Sequence, residues 1–314
     1  MAKVLIFGGT GFIGLNLTTT LLNQGHEVII FSRSSKSIGN NIRPNIITGD
    51  IGNFVDVRSA LWSIKPDWVF NCAGVLTRGV SEVDEAEAYR INEQGARNII
   101  DAILELYPDL PIQAGIMLGT AMEYGVKVPI LREDIFCEPI GTYAQAKHNA
   151  TSYMQEVAKK YHVPLVSARV FTPYGPGMDK DSLVLKIINQ ALAGEQINLS
   201  SPEVTRDFIY ITDLTEVLIK LISVAQNRQG EVFNVATGIA VTLEQFASEV
   251  LTVFNSTSAI VWDKKLKSVY DNRVWQADME KTFSATGWRP KIGLLEGLLR
   301  MKLELFMGVN KGDN

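Results

Sequence analysis

The chain has 314 residues, 46% of them hydrophobic and 20% charged, long enough to bury a large core and ordinary for a globular protein. A net charge of −4 offers no concentrated basic surface, so no nucleic-acid partner is expected. Apolar stretches such as Lys3–Phe7 are far shorter than the roughly 20 residues that cross a bilayer. A strand begins almost at once, leaving no room for a signal peptide, and Cys72 and Cys137 form neither a metal-ligand spacing nor a disulfide framework. The expectation is a cytoplasmic protein with no metal and no membrane contact.

In chain order, Lys3–Phe7 predicts a buried strand and Phe12–Gln24 a helix closed by Gly25. Glu27–Phe31, Asn45–Thr48 and Asp67–Asn71 predict three further strands, with helices near Phe54–Ile64 and Glu85–Leu106. Gln113–Leu118 and Pro164–Val170 are strands on either side of a helix over Tyr143–Tyr161. This alternation calls for an α/β fold, a Rossmann-type, doubly wound parallel sheet covered on both faces. Beyond Arg169 the pattern loosens. A helix over Ser182–Ala193, a strand over Asp207–Ile211 and a helix over Thr212–Ala225 follow, the last two predicted to return to the sheet. Thr242-Leu-Glu-Gln245 is a capping box that opens a late helix, and Leu294–Phe306 predicts the last one. The organisation expected is a first domain over residues 1–172, rejoined by 207–236, and a smaller interleaved second domain over 173–314.

Between the first strand and first helix lies Phe7-Gly-Gly-Thr-Gly-Phe-Ile-Gly14. Gly9, Gly11 and Gly14 satisfy Gly-x-Gly-x-x-Gly, and Gly8, Gly11 and Gly14 satisfy Gly-x-x-Gly-x-x-Gly. Glycines there permit a tight turn, close backbone approach to a pyrophosphate and close helix–strand packing. The helix N-terminus, with Phe12 and Ile13 in its first turn, presents free N–H groups and a positive dipole end to phosphates. A tight turn alone would explain the glycines; with a strand before and a helix after, they predict a bound dinucleotide. An acid roughly 20 residues on would mark NAD. Ser32 and Arg33 stand there instead. A guanidinium beside small hydroxyls suits a 2′-phosphate, so the cofactor expected is NADP, with NAD the alternative.

Tyr143-Ala-Gln-Ala-Lys147 places a phenol and an ammonium four residues apart on one helical face. A phenol normally titrates near pH 10, and a neighbouring ammonium lowers that value. Tyr143 can then exchange a proton with a substrate oxygen while hydride moves at the nicotinamide. Thr120 follows the Gln113–Leu118 strand, and ligands of open α/β sheets gather at the carboxyl ends of strands. Its hydroxyl can polarise the same oxygen or merely cap its own backbone.

Together these residues resemble the extended short-chain dehydrogenase/reductase family, in particular its nucleotide-sugar epimerase, dehydratase and reductase branch. Thr48-Gly-Asp50-Ile51 resembles the turn that contacts the adenine, and Asn71-Cys-Ala73-Gly74 the segment beneath the cofactor. Asn92 is similar to a structural asparagine of the central helix, and Thr120 to the catalytic Ser or Thr. Arg169-Val-Phe-Thr-Pro-Tyr-Gly-Pro176 and Arg206-Asp-Phe-Ile-Tyr210 resemble two segments bordering the sugar-nucleotide pocket. The resemblance implies that Arg206 contacts the substrate diphosphate, with an ion pair to Asp207 or another acid as the alternative. It also implies that Arg273 adds a phosphate contact, and that Arg78 and Thr172 reach the sugar. Many relatives carry Asn at the position of Thr172. A homodimer through the Glu85–Leu106 and Tyr143–Tyr161 helices is implied as well.

In the resemblance, 4,6-dehydratases carry Asp-Glu directly after the catalytic threonine, where this chain has Ala121 and Met122. Dehydration is therefore disfavoured, and Glu123 is expected to point elsewhere. Two enzyme readings follow: NADPH-dependent reduction of a nucleotide 4-keto-6-deoxyhexose, favoured by Gly119-Thr-Ala-Met-Glu-Tyr-Gly125 and Arg33, and 4-epimerisation with tightly held NAD. A catalytically silent NADP-binding sensor is the alternative of another class.

Overall fold

The strand–helix alternation closes into a parallel sheet in the computed structural model, which describes residues 1–34, 44–76, 82–107, 109–125, 130–266, 271 and 274–309. The first elements are β1 (Lys3–Phe7), α1 (Phe12–Asn23), β2 (Glu27–Ser32), β3 (Asn45–Thr48), α2 (Phe54–Ile64) and β4 (Trp68–Asn71). After them come α3 (Glu82–Ala88), a π-helical turn (Tyr89–Gln94) and α4 (Gly95–Leu106). Next are β5 (Ala114–Thr120), a 3₁₀ turn (Ala121–Tyr124), β6 (Ile130–Leu131), α5 (Thr142–Tyr161) and β7 (Leu165–Val170).

The seven-stranded sheet runs β3-β2-β1-β4-β5-β7-β11, where β11 is Val232–Val235. Its paired strands are all parallel. Strand order reverses between β1 and β4, which opens a crevice at their carboxyl ends where ligands of such sheets bind. Side chains of β1 alternate between two apolar layers, as a period of two demands. Val4 and Ile6 join Leu17 and Leu21 of α1, whereas Leu5 and Phe7 join Val57 and Leu61 of α2 and Ile99 and Ile103 of α4. β5 and β7 are buried along their whole length, as strands covered on both faces must be.

The rest of the chain adds β8 (Thr172–Tyr174), α6 (Leu183–Ala193), β9 (Ile197–Leu199), β10 (Thr205–Tyr210) and α7 (Ile211–Ala225). β12 (Ala240–Thr242), α8 (Leu243–Phe254), β13 (Ile260–Trp262), β14 (Gln276–Ala277), α9 (Glu280–Thr286) and α10 (Leu294–Val309) complete it. The strand expected over Asp207–Ile211 does not rejoin the main sheet. As β10 it pairs with β8 and β12 in a separate three-stranded sheet. What returns is α7, packed against β5 and α1, followed by β11 along β7. β11 has only four residues, Val-Phe-Asn-Val, too few to show a period in the sequence. The capping box is present: Thr242 Oγ1 accepts from Gln245 N and Gln245 Oε1 accepts from Thr242 N. Among the described residues no helix is long and apolar enough to cross a membrane.

Candidate active site

The glycine turn sits at the reversal point. Gly8 has a φ of +74°, and a Cβ there would stand 2.6 Å from the Ala73 backbone. A Cβ on Gly14 would lie 2.2 Å from the Gly8 carbonyl oxygen, so the first turn of α1 packs on the loop itself. Gly11 precedes α1, whose N-terminus has no side-chain cap and no acid in its first turn among the described residues. Both features leave its N–H groups and positive dipole end available to an anion.

Beside this turn is a cavity of about 280 Å³ lined by Gly8, Gly11, Ser32, Arg33, Ile51 and Ala73, among others. These are six of the residues the sequence assigns to the dinucleotide. At its rim Arg33 pairs with Glu87 at 3.3 Å, and Ser32 Oγ lies 3.4 Å from Thr10 Oγ1. Asp50 accepts from Gly52 N at 2.8 Å and pairs with Arg90 at 2.7 Å. Burial opposes its charge, but the Gly52 N–H and Arg90 together hold its carboxyl below the usual range. Arg90 belongs to the π-helical turn that interrupts the helix expected over Glu85–Leu106. In that turn the Asn92 amide binds both backbone groups of Val75, at 3.0 and 2.9 Å, and pins the segment that follows β4. Such single π turns gather at functional sites.

A second cavity, about 710 Å³, continues from the same turn. Its walls include Phe12, Ile13, Ala73, Thr120, Tyr143 and Lys147, so the three candidate catalytic residues face one space. β5 delivers Thr120 at its carboxyl end, and the first two turns of α5 deliver Tyr143 and Lys147. Lys147 is buried and its Nζ donates to the Leu118 carbonyl at 3.0 Å and the Ala73 carbonyl at 3.4 Å. Burial lowers its pKa, while Glu123 opposes the shift. Cys72 lines both cavities, and burial pushes its thiol up to about 12, so it stays neutral.

Thr120 caps its own backbone as well as facing the cavity. Its Oγ1 accepts from Met122 N at 3.3 Å, and Glu123 Oε1 accepts from Thr120 N at 2.8 Å, a second capping box. The sequence carries that signal as Thr120-Ala-Met-Glu123, the same Thr-x-x-acid/amide pattern found at Thr242. Glu123 is fully buried, and its Oε2 meets Arg169 Nη2 at 2.8 Å. It is thus directed away from the cavity, whose lining also lacks Ala121 and Met122 among the described residues.

The substrate-side residues are less well gathered. Arg206 pairs with Asp271 at 2.7 Å, donates to the Thr205 carbonyl at 2.8 Å, and lines neither cavity. The acid it meets is Asp271, because Asp207 is occupied by the backbone of Thr237, Gly238 and Ala277. Thr172 is absent from the large cavity's lining, where Val170, Phe171 and Pro173 stand instead. Arg78 and Arg273 lie outside the described residues. Met178, Asp179 and Ser182, not singled out in the sequence, also line the large cavity. The Gly175-Pro-Gly177 turn that brings them back was visible; which residues it would deliver was not.

Residues 4–236 match the model of the NAD dependent epimerase/dehydratase family. A GDP-6-deoxy-D-talose 4-dehydrogenase of Aggregatibacter actinomycetemcomitans is 27% identical, over 77% of each chain. The dTDP-D-glucose 4,6-dehydratase of Homo sapiens is 23% identical over 94% of this chain and 87% of its own. Among solved structures, the UDP-glucose 4-epimerase of Thermotoga maritima with UDP-glucose superposes with a TM-score of 0.85, at 23% identity over 98% of this chain and 99% of that one. A UDP-glucuronic acid 4-epimerase from Bacillus cereus, in complex with UDP-glucuronic acid and NAD, also gives 0.85, at 24% identity over 97% and 99%. With a matched sequence that covers the glycine turn, Thr120, Tyr143, Lys147 and the whole seven-stranded sheet, this chain belongs to the NAD dependent epimerase/dehydratase family and is an enzyme of the extended short-chain dehydrogenase/reductase type.

Proposed function

We propose that the chain catalyses NADPH-dependent reduction of a nucleotide-linked 4-keto-6-deoxyhexose. One observation carries the reading. Thr120, Tyr143 and Lys147 share a cavity with the glycine turn, whereas the positions after Thr120 that would serve elimination hold Ala121 and Met122, outside it. Redox chemistry at a carbonyl is therefore provided for, and removal of water is not. The 27% identity to a protein named as a 4-dehydrogenase of a nucleotide deoxysugar supports the same choice.

The dinucleotide would lie along Gly8, Gly11, Phe12, Ile13 and Gly14, with Asp50, Ile51 and Ala73 around its adenosine half. Ser32 and Arg33 would meet a 2′-phosphate, for which a guanidinium is the fitting partner and Glu87 the competitor it displaces. A bound NADPH would supply the hydride for the carbonyl carbon, breaking a C–H bond of its dihydronicotinamide and leaving as NADP⁺. Tyr143 would give its phenol proton to the oxygen as the C=O π bond opens, so the new O–H replaces the Tyr143 O–H and the phenolate left beside Lys147 is reprotonated from solvent. Lys147 holds charge beside the phenol, and Thr120 Oγ1 donates to the same oxygen. Arg206, Thr172, Arg78 and Arg273 remain proposed substrate contacts, Arg206 on condition that it leaves Asp271. The protein is proposed to act in the cytoplasm as a homodimer through α4 and α5.

A second reading, 4-epimerisation with tightly held NAD, has the family model in its favour, since that family includes epimerases. The test is to incubate the purified protein with NADPH and a panel of nucleotide 4-keto-6-deoxysugars, following loss of absorbance. Oxidation of NADPH, abolished by Tyr143→Phe, is expected. No oxidation across the panel, with NAD retained on purification, would replace reduction by epimerisation. Full biological activity in Tyr143→Phe would leave a sensor that binds NADP without turnover.

A further inference from the structure

We propose that Glu123 is a positioning residue: anchored by Arg169, its carboxylate fixes the backbone of Thr120 and bears on the charge of the buried Lys147. This rests on the reading of Thr120 and Lys147 as catalytic. Glu123 has no access to the cavity and is fully buried, so it acts only through its neighbours. One oxygen accepts the Thr120 N–H at 2.8 Å, and the other takes Arg169 Nη2 at 2.8 Å. The strand residue before Thr120 has to be glycine for this to happen. A Cβ on Gly119 would stand 2.5 Å from Glu123 Oε1 and 3.0 Å from Ser167 Oγ.

Arg169 is fixed at one nitrogen and by a ring, while its Nε and Nη1 are buried with no hydrogen-bond partner. It is buried, its guanidinium lies 4.3 Å from the centre of the Tyr124 ring, and Tyr124 Oη donates to Asn234 at 2.7 Å. The pair therefore ties the end of β5 to β7 and β11. A buried pair of this kind adds little stability compared with apolar side chains of equal volume. Its geometry, by contrast, sets the direction of the residue that ends β5.

The charge has its own target. Lys147 is buried beside the Leu118 and Ala73 carbonyls, and the Glu123 carboxylate opposes the loss of its charge there.

Two variants separate this role from a merely structural one. Glu123→Gln keeps an acceptor for Thr120 N and removes the charge. The double variant Glu123→Leu with Arg169→Met removes both charges and keeps the volume. Expected for the double variant is a melting temperature within a few degrees of the parent, the apolar pair offsetting the acceptor lost to Thr120 N–H, with kcat lowered about 100-fold and little change in KM, the loss that a small misplacement of a reacting group produces. For Glu123→Gln, the Cε resonance of Lys147, assigned with Lys147→Arg, is expected to titrate at lower pH. A double variant that melts normally and turns over within about threefold of the parent would overturn the proposal, and so would an unmoved Lys147 titration. If the parent oxidises NADPH with no sugar in the panel, the reductase reading fails, while the Lys147 titration still decides this one.

Discussion

Lys147 Nζ sits 3.0 Å from the carbonyl oxygen of Leu118, two residues before Thr120 on the same strand. The bond joins α5 to the end of β5, so the side chains proposed for proton transfer share one rigid mount. Lys147→Met removes the ammonium from the space that Tyr143 and Thr120 share. Turnover is expected to fall at least about 100-fold, as in Tyr143→Phe. The double variant should fall little further, because groups acting as one unit are not additive. Single-turnover rates at saturating cofactor check this; additive losses would mean that the two act separately.

Gly8→Ala meets both a φ of +74° and an Ala73 backbone 2.6 Å from the new methyl group. Left-handed backbone costs a residue with a Cβ about 1–2 kcal/mol, before the clash is relieved. Relief means moving the β4 exit away from the turn, which widens the cradle expected to hold the pyrophosphate. The variant is expected to melt several degrees lower and to bind the dinucleotide at least about tenfold more weakly. Calorimetric titration with NADPH and with NADH checks both losses together.

Arg33 is mostly exposed and its partner is Glu87 at 3.3 Å, a weak surface pair that a phosphate can replace at little cost. Arg33→Ala is expected to raise the Kd for NADPH about 10- to 100-fold, the equivalent of one or two charge-assisted hydrogen bonds, and to leave NADH nearly unchanged. Equal losses for both cofactors would mean that Arg33 reads something other than the 2′-phosphate.

The parts legible in the sequence are those set by short-range rules. Lys3–Phe7, Gly8 to Gly14 and Thr242–Gln245 each declare a strand, a turn or a cap within eight residues. Tyr143 and Lys147 declare a shared helical face. The rest depends on partners far along the chain. Whether the strand after Arg206 joins the main sheet is decided by β8 and β12, and no property of Asp207–Ile211 itself reports that choice. The sequence offers Arg206 either a substrate phosphate or an ion pair with Asp207 or another acid; the acid it meets, Asp271, stands 65 residues later, beyond any local signal. The helix over Glu85–Leu106 gave no sign of its π turn, because Asn92 adopts it in order to bind Val75.

His148 adds a pH dependence that can be signed. Burial lowers its pKa below 6.5, and Arg169 adds to the shift although Glu123 opposes it. In the unfolded chain the imidazole takes up its proton near 6.5, whereas the folded protein resists until lower pH. The unfolded state therefore binds more protons in that window, and stability falls as pH drops through 6.5 toward the folded value. His26 is shifted in the same direction by burial and the N-terminal charge, and contributes similarly. Melting temperature is expected to decline as pH falls from about 7.5 to about 5.5, less steeply in His148→Gln. A slope unchanged by that substitution would assign the effect to His26 or to acids.

Asp207 is the clearest case of a buried acid that works for the fold and not for the chemistry. It is inaccessible to solvent, and its two oxygens accept from Thr237 N at 2.8 Å, Thr237 Oγ1 at 2.6 Å, Gly238 N at 2.9 Å and Ala277 N at 3.2 Å. One side chain on β10 thereby holds the exit of β11 and the strand β14 in place. Burial raises its pKa despite those donors. Asp207→Asn keeps the shape but turns an NH₂ toward N–H groups, so at least two of the four bonds lose their acceptor. The expected cost is about 3 kcal/mol, or a fall of roughly 6 °C in melting temperature for a chain of this size. At a temperature where the variant is folded, its kcat should match that of the parent, because Asp207 lines neither cavity. A variant that melts normally but loses turnover would move Asp207 from the frame of the molecule into its active site.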